Sequence, residues 1–177
     1  MKTIRLFPLE LGRLLRSRLT WLIVLLTAIS PAAGLTLYKP ADASTMLSMY
    51  LANPALAGGV IGGILFGLLT IYELDRTSRS RVEVLTDAVV SPLAMALVRL
   101  LSLVTAAALT AGLTMLAWLP VSRKLIGSVF DWVDYGLAYL LLMGLALPLA
   151  ILAAAAAYQV TPLVDKCSLG HNPLRRI

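Results

Sequence analysis

Four long apolar runs, separated by shorter polar passages, dominate the pattern of positions along the chain. The runs cover residues 20–38, 50–71, 93–119 and 137–158. Each is close to or above the ~20 residues that a helix needs to cross ~30 Å of hydrocarbon. The pattern therefore predicts four transmembrane helices. We expect Pro31 to kink the first and Pro120 to end the third, because proline removes a backbone donor.

The first 18 residues show an amphipathic pattern instead. On a helix, their apolar side chains form one stripe and their basic side chains lie opposite it. The stripe comprises Ile4, Phe7, Leu11, Leu14 and Leu15, and the opposite face comprises Arg5, Arg13 and Arg16. This arrangement predicts a helix lying in the headgroup plane, with Arg13, Arg16 and Arg18 at the membrane interface. An ordinary charged flank before the first span is the alternative.

Small residues recur at intervals of four in the second apolar run, at Ala55, Gly59, Gly63 and Gly67. Small side chains at this spacing let the backbone of another helix approach closely inside a membrane. We expect a packing seam there, within the chain or at a subunit interface. A phosphate-binding glycine loop is rejected, because no Gly-Lys-Ser/Thr sequence follows.

A charged passage over residues 73–91 joins the second and third runs. Its candidate partner-binding residues are Glu73, Arg76, Arg79, Arg81, Glu83, Leu85 and Asp87. From Val82 onward, apolar residues recur at helical spacing, which predicts a short amphipathic helix suited to docking a soluble partner. A solvated connection is the alternative. Ser91 and Pro92 form a helix start, and Arg99 then lies where a long side chain can extend to the headgroups.

Two further polar stretches follow the third run. Residues 120–136 predict a short interfacial segment on the opposite side of the membrane, where aromatic residues such as Trp132 favour the interface. Residues 159–177 form a short polar tail.

Composition excludes an ordinary soluble domain. The chain is 59% hydrophobic and 14% charged, with a mean hydropathy of +0.88, whereas soluble domains are about one-quarter charged. The net charge of +6 does not indicate nucleic acid binding, because the basic residues flank apolar runs. Most of them lie on the side of the N-terminus, and only Lys39, Arg123 and Lys124 lie opposite. This bias predicts that both termini and the charged passage are cytoplasmic.

Candidate catalytic chemistry is sparse. The predicted span interiors contain no acidic residues of the kind that mark proton or cation paths, and the sole histidine, His171, lies in the tail. Cys167 and His171 share a helical face, but two ligands do not close a metal site. The tail resembles a segment of a family of predicted metal-binding membrane proteins. The matching residues are Tyr158, Gln159, Thr161, Pro162, Leu163, Cys167 and Pro173. That family tends to have a second cysteine where this chain has His171.

A broader pattern covers residues 1–119: a basic amphipathic helix, two spans, a cytoplasmic E-x-x-R passage, and Ser-Pro leading into a span with an early arginine. It resembles the permease subunits of ABC exporters of the ABC-2 type. The residues that carry the resemblance are Glu10, Leu11, Arg13, Leu14, Leu15, Arg18, Glu73, Arg76, Leu85, Ser91, Pro92 and Arg99. Family members usually have more spans than the four counted here.

The resemblance implies an elbow helix at the N-terminus and a coupling helix between the second and third spans. That coupling helix would fit a groove of a separate ATPase chain, which holds ATP and Mg. Hydrolysis would switch two permease copies between inward-open and outward-open arrangements in a bacterial cytoplasmic membrane. The permease itself would hold no cofactor and would not be an enzyme. The alternative is a non-transporting membrane scaffold or a small metal-binding membrane protein.

Overall fold

The computed structural model describes residues 2–37, 47–79, 92–127 and 130–169. These residues form helices and contain no strand, which confirms the all-α prediction. The helices are α1 (Lys2–Arg16), α2 (Arg18–Ile29), α3 (Pro31–Leu37), α4 (Leu47–Arg79), α5 (Pro92–Ile126), α6 (Trp132–Ala138), a π-helix (Tyr139–Gly144) and α7 (Ala146–Leu169).

Within the described ranges, four stretches are long and apolar enough to cross a membrane, as the hydrophobic pattern predicts. They are Arg18–Thr36, Leu51–Arg76, Leu93–Ile126 and Trp132–Val160. Leucine side chains point outward along all four, including Leu25, Leu68, Leu113 and Leu149, so the outer surface suits lipid rather than water. The chain therefore has the architecture of a multi-pass membrane protein.

The second span is the centre of the bundle. Within the described residues, 44% of its apolar window is buried, against 22% for the fourth span. A Cβ added at Gly62 would approach Thr27, and one at Gly58 would approach Pro31. Position 27 therefore pairs with 62 and position 31 with 58, so the first and second spans are antiparallel.

The first span is interrupted at Ser30. Its α2 part ends at Ile29 and α3 begins at Pro31. Proline has no N–H to donate to the Thr27 carbonyl one turn earlier. The Ser30 hydroxyl donates to that carbonyl at 2.7 Å and satisfies it.

Proline has a different effect in the third span. Pro120 lies inside α5, which continues to Ile126, so the expectation that Pro120 ends this helix is wrong. Pro120 is exposed. The helix ends at Gly127, whose φ of 69° is the left-handed conformation that commonly stops a helix.

The other element boundaries also differ in detail from the sequence pattern. Helix α4 extends through Arg79, beyond the expected end at residue 71. Residues 120–126 belong to α5 and the fourth span begins at Trp132, so the expected interfacial segment 120–136 is divided between two helices. Helix α7 reaches Leu169 and includes the first part of the polar tail.

Candidate functional site: a charge cluster at one end of the bundle

Three helices meet at one end of the bundle through charged side chains. Helix α1 contributes Glu10 and Arg13, the last part of α4 contributes Glu73 and Arg76, and the first part of α5 contributes Arg99. We call these five residues the charge cluster. They alternate in sign along a continuous series, from Arg99 to Glu10 to Arg13 to Glu73 to Arg76.

Arg13 is the centre of the charge cluster. Its Nε donates to Glu10 Oε2 at 2.7 Å and its NH2 group donates to Glu73 Oε2 at 2.7 Å. Glu10 lies one turn earlier on α1, whereas Glu73 is 60 residues away on α4. One guanidinium therefore connects the N-terminal helix to the second span.

Burial separates the two glutamates from the two most exposed arginines of the cluster. The side chains of Glu73 and Glu10 are 5% and 16% exposed, whereas those of Arg13 and Arg76 are 39% and 56% exposed. A buried carboxylate is stable only when it is paired and hydrogen-bonded. Arg13 supplies that pairing for Glu73. Burial alone lowers the pKa of Arg13, but the hydrogen bonds and charges of Glu10 and Glu73 outweigh it and raise that pKa above its ordinary value.

The two arginines at the ends of the series are held more loosely. Arg76 NH1 lies 3.9 Å from Glu73 Oε1 and Arg99 Nε lies 3.8 Å from Glu10 Oε1, beyond hydrogen-bond distance. Arg99 Nε is buried without a hydrogen-bond partner among the described residues. A cavity of about 10 Å³ lies beside Arg99 and Ser102, which is the space that one water molecule requires.

The opposite end of the bundle is held by aromatic side chains. Phe130, Trp132, Tyr135 and Tyr139 form an aromatic cluster with ring centroids 4.8 to 5.5 Å apart. The Tyr135 hydroxyl donates to the Met115 carbonyl at 2.6 Å. This bond joins α6 to α5.

A second aromatic hydrogen bond lies in the same half of the molecule. Trp118 Nε1 donates to the Ala28 carbonyl at 2.7 Å, which joins α5 to α2. Trp132 itself is exposed, and the Arg123 guanidinium lies 5.3 Å from the centre of its ring.

The structure separates the residues expected to bind a soluble partner. Glu73 is buried against α1 and is an internal ion-pair residue, whereas Arg76 is exposed. Arg79 is the last residue of α4, and nothing is described of its side chain. Arg81, Glu83, Leu85 and Asp87 lie outside the described residues, as does the expected amphipathic helix.

The small-residue seam faces the fourth span of the same chain. A Cβ at Gly59 would overlap the Leu142 carbonyl oxygen, one at Gly63 would lie 3.4 Å from Ala150, and one at Gly67 would lie 3.7 Å from Ala154. Ala55 is fully buried. Because both sequence numbers rise together, the second and fourth spans are parallel and packed closely inside one chain.

The residues expected at the membrane interface have different surroundings. Arg16 and Arg18 are exposed, near the start of the first span. Arg13 and Arg99 take part in the charge cluster, and the Arg99 side chain is only 20% exposed. Arg99 lies 3.8 Å from Glu10, and its extension toward the headgroups stays a prediction.

Metal ligands do not converge in the described part of the chain, where no group of three His, Cys, Asp or Glu side chains could hold an ion. Cys167 lies within α7, and nothing is described of its side chain. His171 lies outside the described residues.

Sequence reasoning missed the role of Glu10. The pattern identifies an amphipathic helix, but an acidic residue on its polar face has no local signal for a partner on α4 or α5. One signal was present: Glu10 and Arg13 are three residues apart and so face the same way on a helix. Comparison with known proteins adds no assignment: no family model, curated protein or solved structure matches the chain.

Proposed function

We propose that this chain is the membrane subunit of an ATP-driven exporter of the ABC-2 type, working with a separate ATPase chain and a second permease copy. The observation that carries the proposal is the charge cluster. It joins α1 to the end of α4 and the beginning of α5, which are the two helices that border residues 80–91. A partner acting on those residues would act on three helices together.

The bias of basic residues gives the proposed orientation. Arg13, Arg16, Arg18, Arg76 and Arg99 share one end of the bundle, and Arg123 and Lys124 lie at the other end of α5. Under the positive-inside rule, the end with the charge cluster faces the cytoplasm. An ATPase would then reach residues 80–91 directly.

The ion pairs of the charge cluster would transmit a movement of residues 80–91 to the neighbouring helices. Arg13 holds Glu73 at 2.7 Å, and Glu73 is too buried to be left without its partner at low cost. A displacement of α4 therefore moves α1 with it or breaks this pair. In the proposed mechanism, ATP binding in the partner supplies the free energy for one of these outcomes, and substrate passes between two copies of the bundle.

Co-purification tests the proposal. We expect a tagged copy, cross-linked in its native membranes, to retain a chain that binds ATP. Arg81→Glu and Glu83→Lys should each abolish this retention. Lys124→Glu, which makes the same change in charge as Arg81→Glu at the other end of the bundle, should not.

Two results would overturn the proposal. One is the absence of an ATP-binding chain with the wild-type protein. The other is equal loss of that chain in the Lys124→Glu control, because a general charge effect would then explain both.

A non-transporting membrane scaffold or small metal-binding protein is the second candidate function. The observation that favours it is the count of four candidate spans among the residues that the structure describes, fewer than ABC-2 permeases usually have. For the metal-binding form, purified protein should contain metal in proportion to chain, and Cys167→Ala should remove it. Equal and negligible metal in both would exclude that form.

A further inference from the structure

The charge cluster presents a basic surface although its composition is nearly balanced. Three arginines and two glutamates give the cluster a formal excess of one positive charge. The Glu73 carboxylate is buried and Glu10 and Arg99 are partly buried, whereas the guanidiniums of Arg13 and Arg76 are the exposed ones. An anion approaching from outside therefore meets arginine first.

The position of this surface along the spans indicates which anion it meets. The first candidate span begins at Arg18 and the second ends at Arg76. Ends of spans lie at the level of the lipid headgroups. Tyr72, one turn before Arg76, is 49% exposed, and Leu15 is 38% exposed. Apolar surface thus lies on the span side of the guanidiniums, as an acyl chain below a phosphate requires.

Some guanidinium N–H donors in the cluster are also not used by its ion pairs. Arg76 and Arg99 face their carboxylates at 3.9 and 3.8 Å, and Arg99 Nε has no acceptor within hydrogen-bond range among the described residues. A guanidinium has five N–H donors in a fixed fork that matches phosphate oxygens. The exposed fork of Arg76, which lies beside Arg13 near the shared Glu73 carboxylate, is the donor best placed for a phosphate from outside.

We propose that Arg76 and Arg13, over the buried Glu73, form a binding site for the phosphate of an anionic phospholipid headgroup. Arg16 and Arg18 add positive charge at the same level. The site fixes where the N-terminal helix α1 lies relative to the headgroups. It does not depend on export, and it would exist equally in a scaffold.

Lipid binding to the full-length protein in detergent tests the proposal, with native mass spectrometry as the readout. Phosphatidylglycerol should bind more tightly than phosphatidylcholine of the same chain length. Arg76→Gln should weaken phosphatidylglycerol binding about fivefold, the effect expected of one basic residue near a charged headgroup. Arg76→Lys should weaken it less, because the charge remains.

The control is Lys124→Gln, an equal change in charge at the other end of α5, which should leave phosphatidylglycerol binding unchanged. Inorganic phosphate in millimolar excess should not displace the lipid, because the acyl chains add affinity that free phosphate lacks. Equal binding of the two lipids, equal loss in both glutamine variants, or displacement by inorganic phosphate would each overturn the lipid assignment. Melting temperatures of the variants would show whether each remains folded.

Discussion

The two ends of the bundle are held together by opposite kinds of chemistry. At the charged end, α1, α4 and α5 are joined by ion pairs between side chains that all belong to the charge cluster. At the aromatic end, Tyr135 and Trp118 donate to backbone carbonyls of neighbouring helices, and rings pack on one another. Ion pairs depend on salt and on both partners, whereas a bond to a carbonyl needs only one side chain. The charged end should therefore be the more sensitive of the two to salt and to the loss of a single side chain.

The largest effect should come from breaking the centre of the charge cluster. Arg13→Ala removes the 2.7 Å charged hydrogen bond to the buried Glu73 carboxylate, so we expect a loss of about 3 kcal/mol in the free energy of unfolding. This value is at the lower limit for a buried pair because Arg13 is 39% exposed. Unfolding in mixed detergent micelles, followed by tryptophan fluorescence, measures it.

Two controls separate pairing from helix propensity. Arg16→Ala, on an exposed position of the same helix, should change stability by less than about 0.5 kcal/mol. Adding Glu73→Gln to Arg13→Ala should recover part of the loss, because a neutral amide costs less to bury than a carboxylate. Equal effects of Arg13→Ala and Arg16→Ala would show that the ion pair contributes nothing.

Packing, rather than charge, should dominate in the half of the bundle near the aromatic cluster. Gly59→Ala would place a methyl group on the Leu142 carbonyl, and overpacking of this kind costs about 1–3 kcal/mol. Gly112→Ala is the matched control, because no atom lies within 4 Å of its added Cβ. That variant should be neutral or more stable, since alanine favours helix. The same unfolding assay compares the two, and similar losses would contradict the close approach at Gly59.

Sequence reasoning accounts for the spans better than for the contacts between them. Four apolar runs are sufficient to predict four helices, because run length and hydrophobicity are local properties. The partner of Glu73 is not local: it lies on α1, and no pattern around residue 73 identifies it. The two prolines show the same limit, since Pro31 interrupts its helix and Pro120 does not. Pro54 and Pro120 both lie inside continuous helices, so a proline in the local pattern does not by itself mark the end of a helix.

A smaller effect should follow from removing one hydrogen bond at the aromatic end. Tyr135→Phe loses the donor to the Met115 carbonyl and should cost about 0.5–1 kcal/mol, the usual range for such bonds within membranes. Tyr139→Phe is the comparison, because the Tyr139 hydroxyl is buried beside the Tyr135 hydroxyl and donates to no backbone carbonyl in the described part of the chain. Its loss should cost less than the loss of the Tyr135 hydroxyl. A larger cost for Tyr139→Phe than for Tyr135→Phe would reverse the assignment of the two hydroxyls.

The smallest effect on stability should come from the loosely held end of the charge cluster. Arg76 is 56% exposed and lies 3.9 Å from Glu73, and exposed pairs contribute about 0–1 kcal/mol. Arg76→Gln should therefore change the free energy of unfolding by less than about 0.5 kcal/mol, and the change should disappear at high salt. A loss as large as that of Arg13→Ala would show that Arg76 carries the pairing of Glu73. If stability is nearly unchanged while phosphatidylglycerol binding falls, Arg76 serves the lipid surface rather than the fold, and the two ends of the bundle differ in function as well as in chemistry.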